Sequence, residues 1–146
     1  MRARPSSVVI ALLASACDCA AESAGTSAGA AGGEVRLQAG QSTTMESPAM
    51  KLTFEGVESD SRCPKGEACI WEGDAVLRLT VTSATAAQAF ELHTSPRQGP
   101  DAAGYDGWSI RLVALEPLPV TGRAIAREAY VATLHVERGT AQSNIQ

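Results

Sequence analysis

Residues 75–82 read AVLRLTVT. Successive side chains of an extended chain point to opposite faces, so Ala75, Leu77, Leu79 and Val81 share one side, and Arg78, Thr80 and Thr82 the other. The stretch predicts a β-strand with one apolar face, and that face needs a partner. The alternation recurs on both sides of it. Val35 and Leu37 alternate with Arg36 and Gln38 before Gly40-Gln41 breaks the run. Leu52 and Phe54 alternate with Lys51, Thr53 and Glu55, and Gly56 marks a bulge or a strand end. Phe90 and Leu92 oppose Glu91 and His93; Ile110 and Leu112 oppose Ser109 and Arg111. Tyr130, Ala132, Leu134 and Val136 oppose Thr133, His135 and Glu137.

One-faced strands bury their apolar sides economically in two stacked sheets. The expectation is an all-β domain over 34–137, an antiparallel β-sandwich of six to eight strands, with a small open barrel as the alternative. Helix-like composition is confined to 85–89 and 124–129, stretches too short to stand alone. Residues 94–107 carry Pro96, Gly99, Pro100, Gly104 and Gly107 and read as the longest surface loop. A second connection, 118–129, is opened by Pro117 and Pro119. Residues 138–146, RGTAQSNIQ, read as a polar tail.

The chain has 146 residues, 45% of them hydrophobic, and a formal net charge of −4. That length supports one core once a leader is removed. The charge argues against nucleic acid, whose phosphates need a basic stripe. The leader is residues 1–16, MRARPSSVVIALLASA. Arg2 and Arg4 precede an apolar run, Val8–Ala16, that is shorter than the roughly 20 residues needed to span a bilayer, as in a secretory signal. Ala14-Ser15-Ala16 is an A-x-A cleavage site. Followed by Cys17, it also resembles the lipobox of bacterial lipoproteins, which implies cleavage before Cys17 and lipid on its sulfur. Residues 20–33, AAESAGTSAGAAGG, have the composition of a flexible linker with a reach of roughly 20 Å over 14 residues. The expectation for 17–33 is therefore a lipid-attachment cysteine and a tether, with a membrane as partner through the anchor. A freely secreted form is the alternative. Cys19 is then an odd thiol on the tether.

Exported chains meet an oxidising compartment, where paired thiols are the rule. Cys63 and Cys69 enclose Pro64-Lys65-Gly66-Glu67-Ala68, with Pro64 and Gly66 placed for a turn with Pro64 second and Gly66 fourth. A local disulfide is expected. A redox motif needs C-x-x-C, and zinc needs four ligands, whereas the chain offers His93 and His135 far apart.

Residues 60–73 read DSRCPKGEACIWEG. Asp60, Ser61, Arg62, Cys63, Pro64, Cys69, Trp71 and Gly73 match a D-S-R-C-P…C-x-W-x-G signature and resemble a family of bacterial lipoproteins and secreted proteins without a settled activity. Phe54–Val57 and Leu112–Pro117 extend the likeness loosely over 34–137. The resemblance implies an exported β-rich domain and no particular chemistry.

No nucleophile string such as G-x-S-x-G or H-E-x-x-H occurs. His93 and His135 fall on polar strand faces and read as solvated side chains, and the spacing of Asp101 and Asp106 lacks the alternating ligands of a Ca²⁺ loop. No catalytic residue, metal or cofactor is expected. Phe54, Trp71, Phe90, Trp108 and Tyr130 are expected to serve the core; candidate binding residues are Arg62, Lys65 and Trp71 around the signature, and Tyr105 and Trp108 as the best exposed aromatics on the long loop. The expected function is a non-enzymatic binding or structural module of the cell envelope, partnered by an envelope protein. A small secreted hydrolase, or an inhibitor of an exported protease presenting loop 63–69 or 94–107, is the alternative.

Overall fold

A computed structural model describes residues 32–46 and 49–139. The expected signal, Cys17, Cys19, the linker to residue 31 and the tail from residue 140 lie outside the described residues.

The fold is all-β, with eight strands in two antiparallel sheets of four. The strands are β1 (Gly33–Gln38), β2 (Ser42–Glu46), β3 (Ala49–Asp60), β4 (Ala75–Ser83), β5 (Ala87–His93), β6 (Ala102–Tyr105), β7 (Trp108–Glu116) and β8 (Val131–Arg138). One sheet has the order β1-β8-β7-β6 and the other β2-β3-β4-β5. The chain therefore changes sheet after β1 and again after β5, and the two sheets form a sandwich over a shared core.

The alternation read from the sequence is what fills that core. Ala75, Leu77, Leu79 and Val81 of β4 are fully buried, with Leu52 and Phe54 of β3 beside them. Ile110 of β7 and Ala132, Leu134 and Val136 of β8 supply the facing layer. Stacking the sheets removes these side chains from water, each of the larger ones (Val, Leu, Ile and Phe) worth about 1.5–3 kcal/mol when fully buried. Register is held because a slip by one residue would turn every apolar side chain outward.

Bulges explain the places where the period breaks. Gly56 takes φ +145°, and the β3–β4 register shifts between Phe54 and Gly56, so Gly56 is a bulge and the strand runs on to Asp60. In β7 the register shifts between Leu112 and Ala114. The extra residue lets Leu112 and Leu115 both face inward and leaves Val113 exposed.

Two strands, β2 and β6, go beyond those read from apolar alternation. Stretch 94–107 is not one irregular loop: Asp106 and Gly107, both at positive φ (48° and 77°), turn β6 into β7. Positive φ at both central residues is what a tight two-residue hairpin needs, and Asp-Gly supplies it. The expected helical material reduces to one 3₁₀ turn, Arg127–Ala129.

The sandwich has two poles. Gly33 pairs with Val136, Trp108 with Arg138 and Tyr105 with Trp108, which puts the start of β1 at one pole. Val131 pairs with Glu116 and Asp60 with Ala75, and Tyr130 reaches Asp60 between the sheets, at the other pole.

Candidate functional site

The signature segment is the closure of the β3–β4 hairpin at the second pole. Pairing continues past the strands: Ser61 N–H donates to the Asp74 carbonyl at 2.7 Å and Cys63 N–H to that of Glu72 at 2.9 Å. Gly73 takes φ +71°, and a methyl there would overlap the Ser61 carbonyl, so only glycine permits the two arms to approach. Cys63 and Cys69 are bonded, with Cα atoms 5.9 Å apart. The turn inside the loop starts one residue later than its sequence suggests. Glu67 N–H donates to the Pro64 carbonyl at 3.1 Å, making Pro64 the first residue and Gly66, at φ +88°, the third. A left-handed third position is a demand that glycine meets and other residues resist.

A second loop braces the first. Lys65 N–H donates to the Pro119 carbonyl, and Thr121 Oγ1 to Glu67 Oε1, each at 2.8 Å. The result is a rigid knuckle whose apex is apolar: Ile70 is 94% and Trp71 81% exposed.

Two buried carboxylates hold the base of the knuckle. Asp60 receives Arg62 Nε at 2.8 Å and Nη2 at 2.6 Å, and the side chains of the pair are 9% and 8% exposed. The guanidinium also donates to the carbonyls of Leu115 and Pro117, and Tyr130 Oη donates to Asp60 at 3.1 Å. One buried ion pair thus ties β3 to the end of β7 and the start of β8. Burial pushes the Asp60 carboxyl up, but hydrogen bonds from Arg62 and its positive charge outweigh that and hold it below its ordinary 3.8. Burial, followed by the bond to the Asp60 carboxylate and its charge, raises the Tyr130 phenol.

Asp74, fourteen residues on, accepts from His93 Nδ1–H at 2.6 Å, Thr94 Oγ1 at 3.1 Å and Ser95 N–H at 2.9 Å. Burial raises its carboxyl, and these bonds, His93 first, more than reverse the effect, leaving it below the ordinary value. Ser95, 3% exposed, donates its hydroxyl to Glu72 Oε1 at 2.8 Å. A methyl on Gly99 would overlap the His93 ring, so the chain lies directly on that imidazole. Beside the knuckle runs an open groove of ≈ 630 Å³ lined by Ile70, Trp71, Glu72, Gly73, Ser95, Arg97 and Gln98.

The five candidate binding residues separate. Lys65 and Trp71 are exposed on the knuckle, while Arg62 is buried beneath it in the Asp60 pair. Trp108 is not an exposed loop aromatic: it is 6% exposed at the start of β7, with the Arg138 guanidinium 5.2 Å from its ring centroid. Tyr105 is half-buried, edge-on to Phe90, its hydroxyl donating to Ser83 Oγ at 2.9 Å. Both lie at the pole opposite the knuckle, because the Asp106-Gly107 hairpin folds them back onto the core. His135 is half-exposed, whereas His93 is not a solvated side chain but a partner of Asp74. Alternation does put His93 on the polar face; the return of the chain through Gly99 covers that face. The Asp74–His93–Ser95 contacts and Ile70 were missed in the sequence. Ile70, beside Trp71 in C-I-W-E-G, was in view there, but the network depends on a fold-back that alternation does not report.

Among the described residues, no three His, Cys, Asp or Glu side chains are grouped to hold a metal, and no helix is long and apolar enough to cross a membrane. Comparison with protein-family models, with curated proteins and with solved structures returns no match.

Proposed function

We propose that this chain is an exported lipoprotein of the cell envelope, held by lipid on Cys17 through linker 17–33, whose β-sandwich is a non-enzymatic binding module. The observation that carries the binding half is the knuckle. Ile70 and Trp71 stand almost fully in water on a loop fixed by a disulfide and braced by residues 119 and 121. Large apolar side chains are normally withdrawn from water, and an aromatic on a preorganised loop binds with little ordering cost. The export half is supported by the apolar leader, the small residues before Cys17 and the disulfide, which suits an oxidising compartment. The signature resemblance to bacterial lipoproteins points the same way.

Intact mass analysis of the full chain expressed in a bacterium tests this. The expected product lacks residues 1–16, carries a diacylglycerol mass on Cys17, and gains thiols at Cys63 and Cys69 only after reduction. Protein that keeps Met1 and titrates both thiols overturns the reading. The hydrolase reading is favoured by one observation, the His93–Asp74 pair beneath the groove. Turnover of an ester, amide or glycoside that His93→Gln abolishes is the result that would replace a binding module with an enzyme.

A further inference from the structure

We propose that the groove beside Trp71 is a site for a neutral saccharide chain. This rests on the binding-module reading and names its ligand class.

The lining chemistry selects the ligand. Its ≈ 630 Å³ falls within the range of small-ligand sites, about 300–1,000 Å³. Trp71 supplies a flat, polarisable apolar surface that is 81% open to solvent. Glu72 supplies acceptors, Arg97 donors, and Gln98 both. A pyranose is complementary to this set: one face is a sheet of C–H groups that lies on an indole, and its edge is a rim of hydroxyls that donate and accept. One carboxylate and one guanidinium cancel in charge. A polyanion would call for a surplus of cations, and an acyl chain for a wall without charges.

One of the polar side chains, Glu72, is positioned in advance. Ser95 is fixed by its N–H on Asp74 and donates to Glu72 Oε1, which orients the carboxylate. Among the described residues, Glu72 Oε2 and the side chains of Arg97 and Gln98 have no hydrogen-bonding partner within the chain. Their capacity faces solvent and is available to a ligand. A hydroxyl-rich ligand uses it; a purely apolar one would bury it unsatisfied, at about 1–3 kcal/mol for each group.

Position in the fold gives the direction. β1 starts at the pole of Trp108 and Arg138, and the groove lies at the pole of Asp60 and Ala75. The nine residues of β4 put about 30 Å between those poles. A chain attached before Gly33 therefore enters the domain at the pole opposite the groove and leaves the groove clear of the attachment.

The chain has two tryptophans, so Trp108→Phe leaves Trp71 as the only indole. The test titrates this protein, oxidised at Cys63–Cys69, with the N-acetylglucosamine tetramer and with cellotetraose, reading Trp71 emission. The same titrations by calorimetry on protein with Trp108 intact guard against poor folding of the variant. The expected result is a saturable emission change and heat with a neutral tetrasaccharide, the affinity read by calorimetry being roughly tenfold or more weaker in Trp71→Ala and weakened in Glu72→Gln and Arg97→Gln. No response to either sugar at about 10 mM overturns the site, since that exceeds even a weak millimolar affinity. A response only to polygalacturonate, or only to phosphatidylethanolamine–phosphatidylglycerol vesicles, overturns the neutral-saccharide assignment equally, as does a response that survives Trp71→Ala. Failure here in protein whose mass shows lipid on Cys17 and the intact disulfide removes this inference and leaves the binding-module reading in place.

Discussion

Asp60 ends β3 and Asp74 precedes β4, so two buried carboxylates flank one loop, yet they are solved by different chemistry. Asp60 meets a guanidinium that is always charged and that reaches the carbonyls of Leu115 and Pro117, and Asp60 itself accepts from Tyr130 Oη, all at the margin of the other sheet. Asp74 meets an imidazole, a hydroxyl and a backbone N–H, all from residues 93–95 of the same sheet's margin. The first arrangement joins the two layers of the sandwich; the second shapes the floor beside Trp71. A buried charge matched by a charge is held through electrostatics that cannot be switched off. One matched by dipoles and a histidine relies on hydrogen-bond geometry, and so on the local path of the chain.

Removing Arg62 tests that contrast most severely. Arg62→Met keeps much of the side-chain volume but leaves the Asp60 carboxylate and the Leu115 and Pro117 carbonyls without their donor. Breaking one partner of a buried pair costs about 3–5 kcal/mol, and urea denaturation should show a loss of that size. A loss below about 1 kcal/mol, the range of surface pairs, would mean that Asp60 and Asp74 do not differ as described.

Asp74→Ala should cost less, about 2–3 kcal/mol, because hydrogen bonds to a charged group are worth roughly 1.5–3 kcal/mol and adjacent ones do not add. Acid separates the two further. Both carboxyls lie below their ordinary value in the folded protein, so each binds its proton less readily folded than unfolded. Their stabilisation is complete above the ordinary carboxylate range and is lost as pH falls through it toward the depressed folded values. Stability should therefore drop below about pH 4, and Asp74→Asn should flatten part of that drop while Asp60→Asn flattens another part. Urea midpoints measured between neutral pH and pH 3 decide this; an unchanged acid limb in both variants would contradict it.

What the sequence made legible follows the same division. Strand alternation is a local signal, so β4 and β8 and the one-sided core could be read directly, and Cys63 and Cys69 are close enough in sequence to predict a pair. The carbonyl partners that tie Arg62 to the other sheet lie 53 and 55 residues away, and the partners of Asp74 about 20, and no local period encodes either distance. Trp108 reads both as a core side chain and as an exposed loop aromatic because glycines surround it. Asp106-Gly107, read there only against calcium, is a two-residue hairpin that buries it. Long-range polar contacts and turn chemistry, rather than apolar pattern, are where the sequence was least readable.

Removing the disulfide is a milder change. Cys63→Ser with Cys69→Ser frees a short loop, worth about 2 kcal/mol in the chain-entropy model. The clamp below it should persist, since the Asp60–Arg62 pair does not pass through either sulfur. Thermal unfolding with and without reductant measures the difference. A collapse as large as that of Arg62→Met would show that the knuckle and its base are one unit.

The smallest effect on stability is expected where the effect on function is largest. Trp71 is 81% exposed and no hydrogen bond to its indole exists among the described residues, so Trp71→Ala should change unfolding free energy by no more than about 0.5 kcal/mol. Trp108→Ala, at the opposite pole and 6% exposed, should cost about 3–5 kcal/mol as a large core truncation. The two tryptophans thus form an internal control: one indole belongs to the core and the other to the exposed knuckle proposed as a binding surface. Parallel urea titrations of both variants resolve a difference of that size easily. Should Trp71→Ala destabilise the fold as much as Trp108→Ala, the indole at the knuckle would be part of the scaffold, and the binding surface would have to be sought elsewhere on the molecule.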